Sequence, residues 1–215
     1  MSATLLLVLA GPSGGGKTTV CREIIATRTD SAFSVSATTR PPRPGEKDGV
    51  DYHFVSRGEF ERLIDTEGLL EWAEVHEELY GTPRQNVGRL TDPTRCLLLD
   101  IDVEGARQVR ERVPGAVLVF LLPPSAEEML GRLRRRGSED EERLVRRVRT
   151  ALTELEAAPE FDYVVVNEVL DSTVRTVEAI LEAELHRASR ARHEVLERTN
   201  GLRKALEADL AGSHT

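Results

Sequence analysis

The chain has 215 residues, 40% hydrophobic and 31% charged, enough for one domain with a sizeable core or one domain carrying lobes. No apolar run approaches the ~20 residues that cross a bilayer. A net charge of −8 argues against a broad nucleic-acid-binding face, where phosphate contacts demand basic surface.

The N-terminal MSATLLLVLAG has no basic residues ahead of its short apolar run and leads straight into a glycine-rich stretch. It is read as a buried strand rather than a signal peptide, and the protein is expected in the cytoplasm. Cys21 and Cys96 have neither metal-ligand spacing nor a disulfide framework, so buried free thiols in a reducing compartment are expected. Gly11–Thr18, GPSGGGKT, matches G-x-x-x-x-G-K-[ST] in full. Glycines let successive backbone N–H groups turn inward as an anion-binding nest, and the following helix points its positive end at the same place. A lysine so placed reaches the β- and γ-phosphates, and a hydroxyl after it can ligate Mg²⁺. Only three lysines stand among 29 basic residues, so Lys17 at the loop's end is no product of abundance. A glycine-rich turn that merely joins strand to helix is the bland alternative; the apolar run before, the helical pattern after and Lys17 itself argue against it. Ser13, Gly14, Gly15, Gly16, Lys17, Thr18 and Thr19 are therefore the candidate phosphate-donor residues, with ATP the expected nucleotide. ATPases, GTPases, kinases and motor domains share this loop, so it names no reaction.

Three further apolar runs, RCLLLDID (95–102), AVLVFLL (116–122) and YVVVN (163–167), read with LLLVLA (5–10) as strands buried on both faces. Amphipathic stretches at 18–29, 104–112, 125–136, 140–157 and from 172 onward alternate with them, which predicts an α/β fold with a parallel sheet. Ser56-x-x-Glu59, Ser125-x-x-Glu128 and Ser138-x-x-Glu141 each match a capping box. Asp100, ending the RCLLLDID run, fits a carboxylate near the Mg²⁺ shell, or simply a strand-end cap. Residues 34–91 break the alternation with proline, glycine, tyrosine and short β-like pieces (VDYHFV, LLEWAEV), and are read as an inserted lobe between core segments 1–33 and 92–190. RRRGSEDEE, within a stretch at about 134–147, reads as a mobile lid. Residues 191–215 form a helical tail in which Asn200-Gly201 reads as a helix stop ahead of Leu202, Leu206 and Leu210.

In the inserted lobe, Arg40 and Arg43 flank two prolines that stiffen the backbone, and Tyr52 and Tyr80 follow. Two guanidiniums and two phenols can clamp a phosphate monoester, although a solvated basic turn is the commoner reading of R-P-P-R-P. Taken in order, FSVSATTRPPRPGEKDGVDYHFVS, LLEWAEVHEELYGT, LLLDIDVEGARQV, RRRGSEDEE and FDYVVVNE resemble guanylate kinases, over roughly residues 4–185. The resemblance implies a P-loop NTPase-type parallel sheet flanked by helices, with a small α/β GMP-binding lobe and a lid. It implies that ATP and Mg²⁺ phosphorylate GMP or dGMP, in a monomer or homodimer, with no nucleic acid or membrane as partner. By similarity, Ser36, Arg40, Arg43, Tyr52 and Tyr80 hold the GMP phosphate, and Glu71, with Thr82 and Asp102, reads the base. A carboxylate pairs with guanine's N1–H and 2-amino donors, whereas adenine offers an unprotonated N1, so AMP is expected to be rejected. Lys17, Arg132, Arg136 and Arg147 match the phosphate-facing, catalytic cations, Asn167 a position near adenine, and Thr18 and Asp100 the metal site. Arg134 and Arg135 are expected to face solvent. Thr18 stands for a commoner serine and Glu104 for a usual glutamine, which adds charge beside the acceptor pocket. Two other readings remain: a kinase for a related modified purine nucleotide, and a non-catalytic peptide-binding module of guanylate-kinase type. The latter class usually loses parts of the phosphate loop, which this chain keeps.

Overall fold

The structure, a computed structural model, describes residues 4–75, 77–88, 95–136, 141–190 and 192–212, with the side chains at 135, 136, 142, 143, 193, 194, 211 and 212 outside that description. Along the chain run β1 (Leu5–Ala10), α1 (Lys17–Thr27), β2 (Ser31–Phe33), β3 (Ala37–Thr38), β4 (His53–Phe54), α2 (Arg57–Asp65), β5 (Leu69–Val75), β6 (Glu78–Pro83) and α3 (Gln85–Gly88). There follow β7 (Cys96–Asp100), α4 (Val103–Arg112), β8 (Val117–Leu122), α5 (Ala126–Arg136), α6 (Glu141–Glu156), β9 (Tyr163–Val166), α7 (Leu170–Leu185) and α8 (Arg192–Gly212).

The main sheet has the order β2-β7-β1-β8-β9, and every pairing in it is parallel. An unbroken apolar strand is stable only when both faces are covered, and β1 is covered twice over. Leu5, Leu7 and Leu9 pack with Val20 and Ile24 of α1 and with Val177 and Leu181 of α7. Leu6, Val8 and Ala10 pack on the other side with Ala106 and Val109 of α4, and Leu70 of β5 joins that same cluster. The chain winds to one side of β1 through β2 and β7, and to the other through β8 and β9. The order therefore reverses at β1, and ligands in such sheets seat outside the carboxyl ends of the strands at that reversal.

A second sheet, β4-β3-β6-β5, lies between β2 and β7 in sequence and carries an antiparallel β5–β6 hairpin. Phe60 of α2, fully buried, covers it with Ala37, Leu69 and Leu79. Helix α2 opens with the expected capping box: Ser56 Oγ accepts from the Glu59 N–H, and the Glu59 carboxylate accepts from the Ser56 N–H. At Ser125 the hydroxyl accepts from the Glu128 N–H at 3.2 Å; the third expected box, at Ser138, lies outside the described residues.

One strand was not anticipated, and one expectation needs correction. Ser31–Phe33 is a strand, held by pairing with β7, although its short sequence shows no apolar run. Asn200-Gly201 does not stop a helix, because α8 runs through it from Arg192 to Gly212. An exposed glycine costs a long helix only about 1 kcal/mol, and its good helix formers absorb that. The apolar positions of α8, Val195, Leu196, Leu202, Leu206 and Leu210, are 42–65% exposed. A helix whose described side chains are all exposed adds little to global stability. Removing residues 192–215 is expected to leave the thermal midpoint within about 2 °C of the full chain in a scanning calorimeter.

Candidate active site

The loop between β1 and α1 is shaped by its glycines. Gly11 has φ +140°, and a Cβ there would sit 2.5 Å from the Leu121 carbonyl oxygen. Gly16, at φ +91°, is the residue before α1, and a Cβ on it would collide with the Asn167 amide. No side chain caps α1 at this position, so its first N–H groups are open to an anion. Lys17 Nζ donates to the Gly11 carbonyl at 2.8 Å and reaches that of Pro12 at 3.5 Å. Thr18 Oγ1 donates to Asp100 Oδ2 at 2.5 Å, which joins α1 to the end of β7. Asn167, only 5% exposed, donates from Nδ2 to the Gly15 carbonyl at 2.7 Å and so braces the loop from behind. Thr19 is exposed on α1 and does not line the cavity.

Facing the loop across a cavity of about 1160 Å³ is the second sheet. Ser36, Arg40, Arg43, Tyr52, Glu71 and Tyr80 line that wall, and Lys17, Thr18, Asp100 and Asp102 the opposite one. Arg40 donates to the Pro41 carbonyl at 2.6 Å and pairs with Glu46 at 3.0 Å, and its guanidinium lies 5.4 Å from the Tyr52 ring centre. Glu46 also accepts from the Arg43 N–H at 2.7 Å, which folds the R-P-P-R turn onto itself. Tyr52 and Tyr80 meet edge to face at 6.0 Å, and burial pushes the Tyr52 phenol up to about 12, keeping it a neutral donor. Thr82, fully buried, donates to Glu71 Oε1 at 2.6 Å. Burial lifts the Glu71 carboxyl from 4.5 to about 7; the Thr82 bond opposes this and the Asp102 charge adds to it. Asp102 caps α4 by accepting from the Gly105 N–H at 2.7 Å, and burial raises its carboxyl as well. Glu104 lies on the neighbouring turn, away from this cavity, pairing with Arg107 at 3.4 Å.

The third wall comes from α5 and α6. Arg147 donates to the Leu133 carbonyl at 2.8 Å and to Ser13 Oγ at 3.3 Å. Arg132 is paired along its own helix with Glu128 at 2.7 Å and is not among the lining residues. The side chain of Arg136 lies outside the described residues. Arg134, expected to face solvent, is exposed yet stands at the mouth of the cavity with Arg146. Glu154 is a contributor that sequence reasoning did not find. Its Oε2 accepts from the Ser13 N–H at 3.2 Å, and burial raises its carboxyl. Two helical turns after Arg147, it shares that residue's face of α6, the only sequence signal that could have found it.

A glycine-rich loop at a helix N-terminus, an arginine- and tyrosine-lined wall and a buried carboxylate thus share one cavity. A family model described as guanylate kinase matches residues 3–184. Among curated relatives, a guanylate kinase of Thermus thermophilus is 49% identical over 205 residues, covering 95% of this chain and 92% of that protein. That of Desulfitobacterium hafniense is 46% identical over 186 residues, covering 86% and 93%. The chain belongs to the guanylate kinase family. It is thus a nucleoside monophosphate kinase, a phosphotransferase. The crystal structure of guanylate kinase from Anaplasma phagocytophilum superposes with a TM-score of 0.74 at 35% identity, over 92% of this chain and 96% of that one.

In this guanylate kinase the Glu71 carboxyl binds its proton more tightly folded than unfolded. That contribution to stability is complete below pH 4.5 and is lost as pH rises through about 7. At about 1.4 kcal/mol per pH unit, Glu71→Gln is expected to be more stable than the parent at pH 8 by up to about 3 kcal/mol. The gap should close toward pH 4.5, as read by urea unfolding of both proteins across that range.

Proposed function

We propose that this guanylate kinase transfers the γ-phosphoryl group of Mg-ATP to GMP or dGMP, giving ADP and the nucleoside diphosphate. The observation that carries the reading is the single cavity whose walls hold the phosphate loop on one side and Arg40, Arg43, Tyr52, Glu71 and Tyr80 on the other. At about 1160 Å³ it exceeds the span usual for one small ligand, as two nucleotides would need.

The loop N–H groups and the α1 N-terminus cradle the ATP phosphates, and Lys17 exchanges its carbonyl partners for phosphate oxygens. Thr18 Oγ1 and Asp100 Oδ2 offer adjacent hard oxygens, a donor pair that fits Mg²⁺. No group of three or more acidic, histidine or cysteine side chains suited to a metal occurs among the described residues. That sparsity fits an ion whose remaining ligands are phosphates and water. Bound there, Mg²⁺ would neutralise charge on the β- and γ-phosphate oxygens. Arg40 and Arg43, with the phenols of Tyr52 and Tyr80, fix the acceptor phosphate. Arg147, reaching across Ser13, supplies positive charge where charge spreads in the transition state. No strong general base is required, because the reaction is governed by positioning and electrostatics. Glu71 takes the guanine N1–H and 2-amino donors. Adenine would place an acceptor against the same carboxylate and leave it unpaired.

Steady-state assays with GMP, dGMP, AMP and UMP are expected to give kcat/KM for AMP at least about 1000-fold below GMP. AMP turnover matching that of GMP would remove the role given to Glu71. Lys17→Ala should lower kcat by about 100-fold or more with KM for GMP little changed. Arg40→Ala should act the other way, raising KM for GMP about tenfold or more.

A further inference from the structure

The strand that carries Glu71 is an edge strand. In the order β4-β3-β6-β5, only β6 pairs with β5, so the backbone groups on its outer side need partners from elsewhere. A helix of the main core provides them. Gln108 on α4 accepts from the Trp72 N–H at 3.2 Å and donates to the Trp72 carbonyl at 2.7 Å. One side-chain amide thus makes both bonds that a neighbouring strand would make. One turn further along α4, Arg112 donates to the Leu70 carbonyl at 2.8 Å. These contacts fall on the residues immediately before and after Glu71.

A third contact reaches Glu71 itself. A Cβ on Gly105 would lie 2.5 Å from Glu71 Oε2, so the carboxylate rests against the α4 backbone where only hydrogen leaves room. Gly105, Gln108 and Arg112 stand at i, i+3 and i+7 and therefore form one stripe along the helix. The β5–β6 register shifts between Leu69 and Glu71, an irregularity of the kind that re-aims a side chain next to a site. Leu70, 2% exposed, packs into the core cluster with Ala106 and Val109 and pins the strand to the same helix.

We propose that Gly105, Gln108 and Arg112 act as a splint that sets the position of the Glu71 carboxylate, and with it the preference for guanine over other purines. They are positioning residues and touch no substrate. The proposal rests on the reading of Glu71 as the group that takes the guanine donors. Two parallel hydrogen bonds to N1–H and the 2-amino group require both carboxylate oxygens within a few tenths of an ångström of their places. A strand tied only on its β6 side could slide or twist by more than that, and the bonds on either side of residue 71 prevent it.

The test is a double-mutant cycle read on substrate choice, comparing GMP with inosine monophosphate, which lacks the 2-amino donor. Gln108→Leu is expected to raise KM for GMP about tenfold and to lower the GMP-to-inosine-monophosphate ratio of kcat/KM by a similar factor. Its kcat at saturating substrates and its KM for ATP should stay within about twofold of the parent. In a Glu71→Gln background, Gln108→Leu should cost nothing further, because the residue it positions is already lost. Arg112→Met enters the same cycle as an independent variant should Gln108→Leu not fold, as judged by its unfolding transition. Glu111→Gln, on the exposed side of α4, serves as the surface control. Additive losses, or equal losses for both acceptors, would reduce the splint to general scaffolding and overturn the proposal. If Glu71→Gln itself leaves the ratio unchanged, the base-reading role of Glu71 fails first and takes the proposal with it.

Discussion

A carboxylate taken out of water, with Thr82 as its hydrogen-bond partner and the α4 backbone against its other oxygen, is the constraint around which this wall of the cavity is arranged. Glu71 is 3% exposed, and its desolvation outweighs the Thr82 hydrogen bond, which leaves the group close to half-protonated at neutral pH. Arg112 lies close enough to favour the charged form but ranks among the smaller influences. The free protein thus carries an imperfectly compensated acceptor, and a base presenting two adjacent donors relieves it. A base presenting an acceptor leaves the full desolvation cost in place. Discrimination of this kind depends on the site being rigid, since a mobile carboxylate would turn toward water. The α4 glycine against the carboxylate, the shifted register and the hydrogen-bonded edge of β5 all work to that end.

The donor side follows a different logic. Its hydrogen-bond donors rest on oxygens of the protein: Lys17 on two loop carbonyls, the Ser13 N–H on Glu154, the Thr18 hydroxyl on Asp100. A phosphate replaces oxygen with oxygen, so the exchange costs little net hydrogen bonding while the loop keeps its shape. The loop has few alternatives, because Gly11 and Gly16 hold backbone angles that side chains rarely adopt and the Asn167 amide fixes the Gly15 carbonyl. Helix α6 meets Ser13 twice, through Glu154 at its N–H and through Arg147 at its hydroxyl. Movement of that helix is therefore felt at the phosphate loop.

What could be read in the sequence was whatever is local or periodic. The four apolar runs became strands, and the phosphate loop, its eight consecutive residues a complete local unit, was legible outright. Ser31–Phe33 was not, because three weakly apolar residues become a strand only through the neighbour they pair with. Gly201 was misleading for the opposite reason: a local stop signal yielded to good helix formers on both sides. Glu154 and Ser13 are 141 residues apart, and nothing near either one announces the other. Gln108 reads in isolation as a solvated polar residue on a helix; its partner is an edge strand 36 residues earlier. Residues that touch one another across the fold are invisible to spacing, and in this protein such contacts hold the cavity walls in place.

The corner between β7 and α4 shows how the two sides are held in register. Asp100 ends the strand and bonds Thr18; Asp102, two residues later, caps α4, the helix whose next turns reach the second sheet. Ile101 between them is 8% exposed and points into the core, so the alternation of a strand end sends both carboxylates toward the cavity. From there α4 carries Gly105 to the Glu71 carboxylate and Gln108 to its strand. Thirteen residues, 100–112, thus touch the glycine-rich loop's helix, the Glu71 carboxylate and the edge of the second sheet in turn. In-line transfer depends on the distance between two bound phosphates. Among the described residues, segment 100–112 is one continuous, well-packed stretch that contacts both walls of the cavity, so the spacing of those walls runs through it.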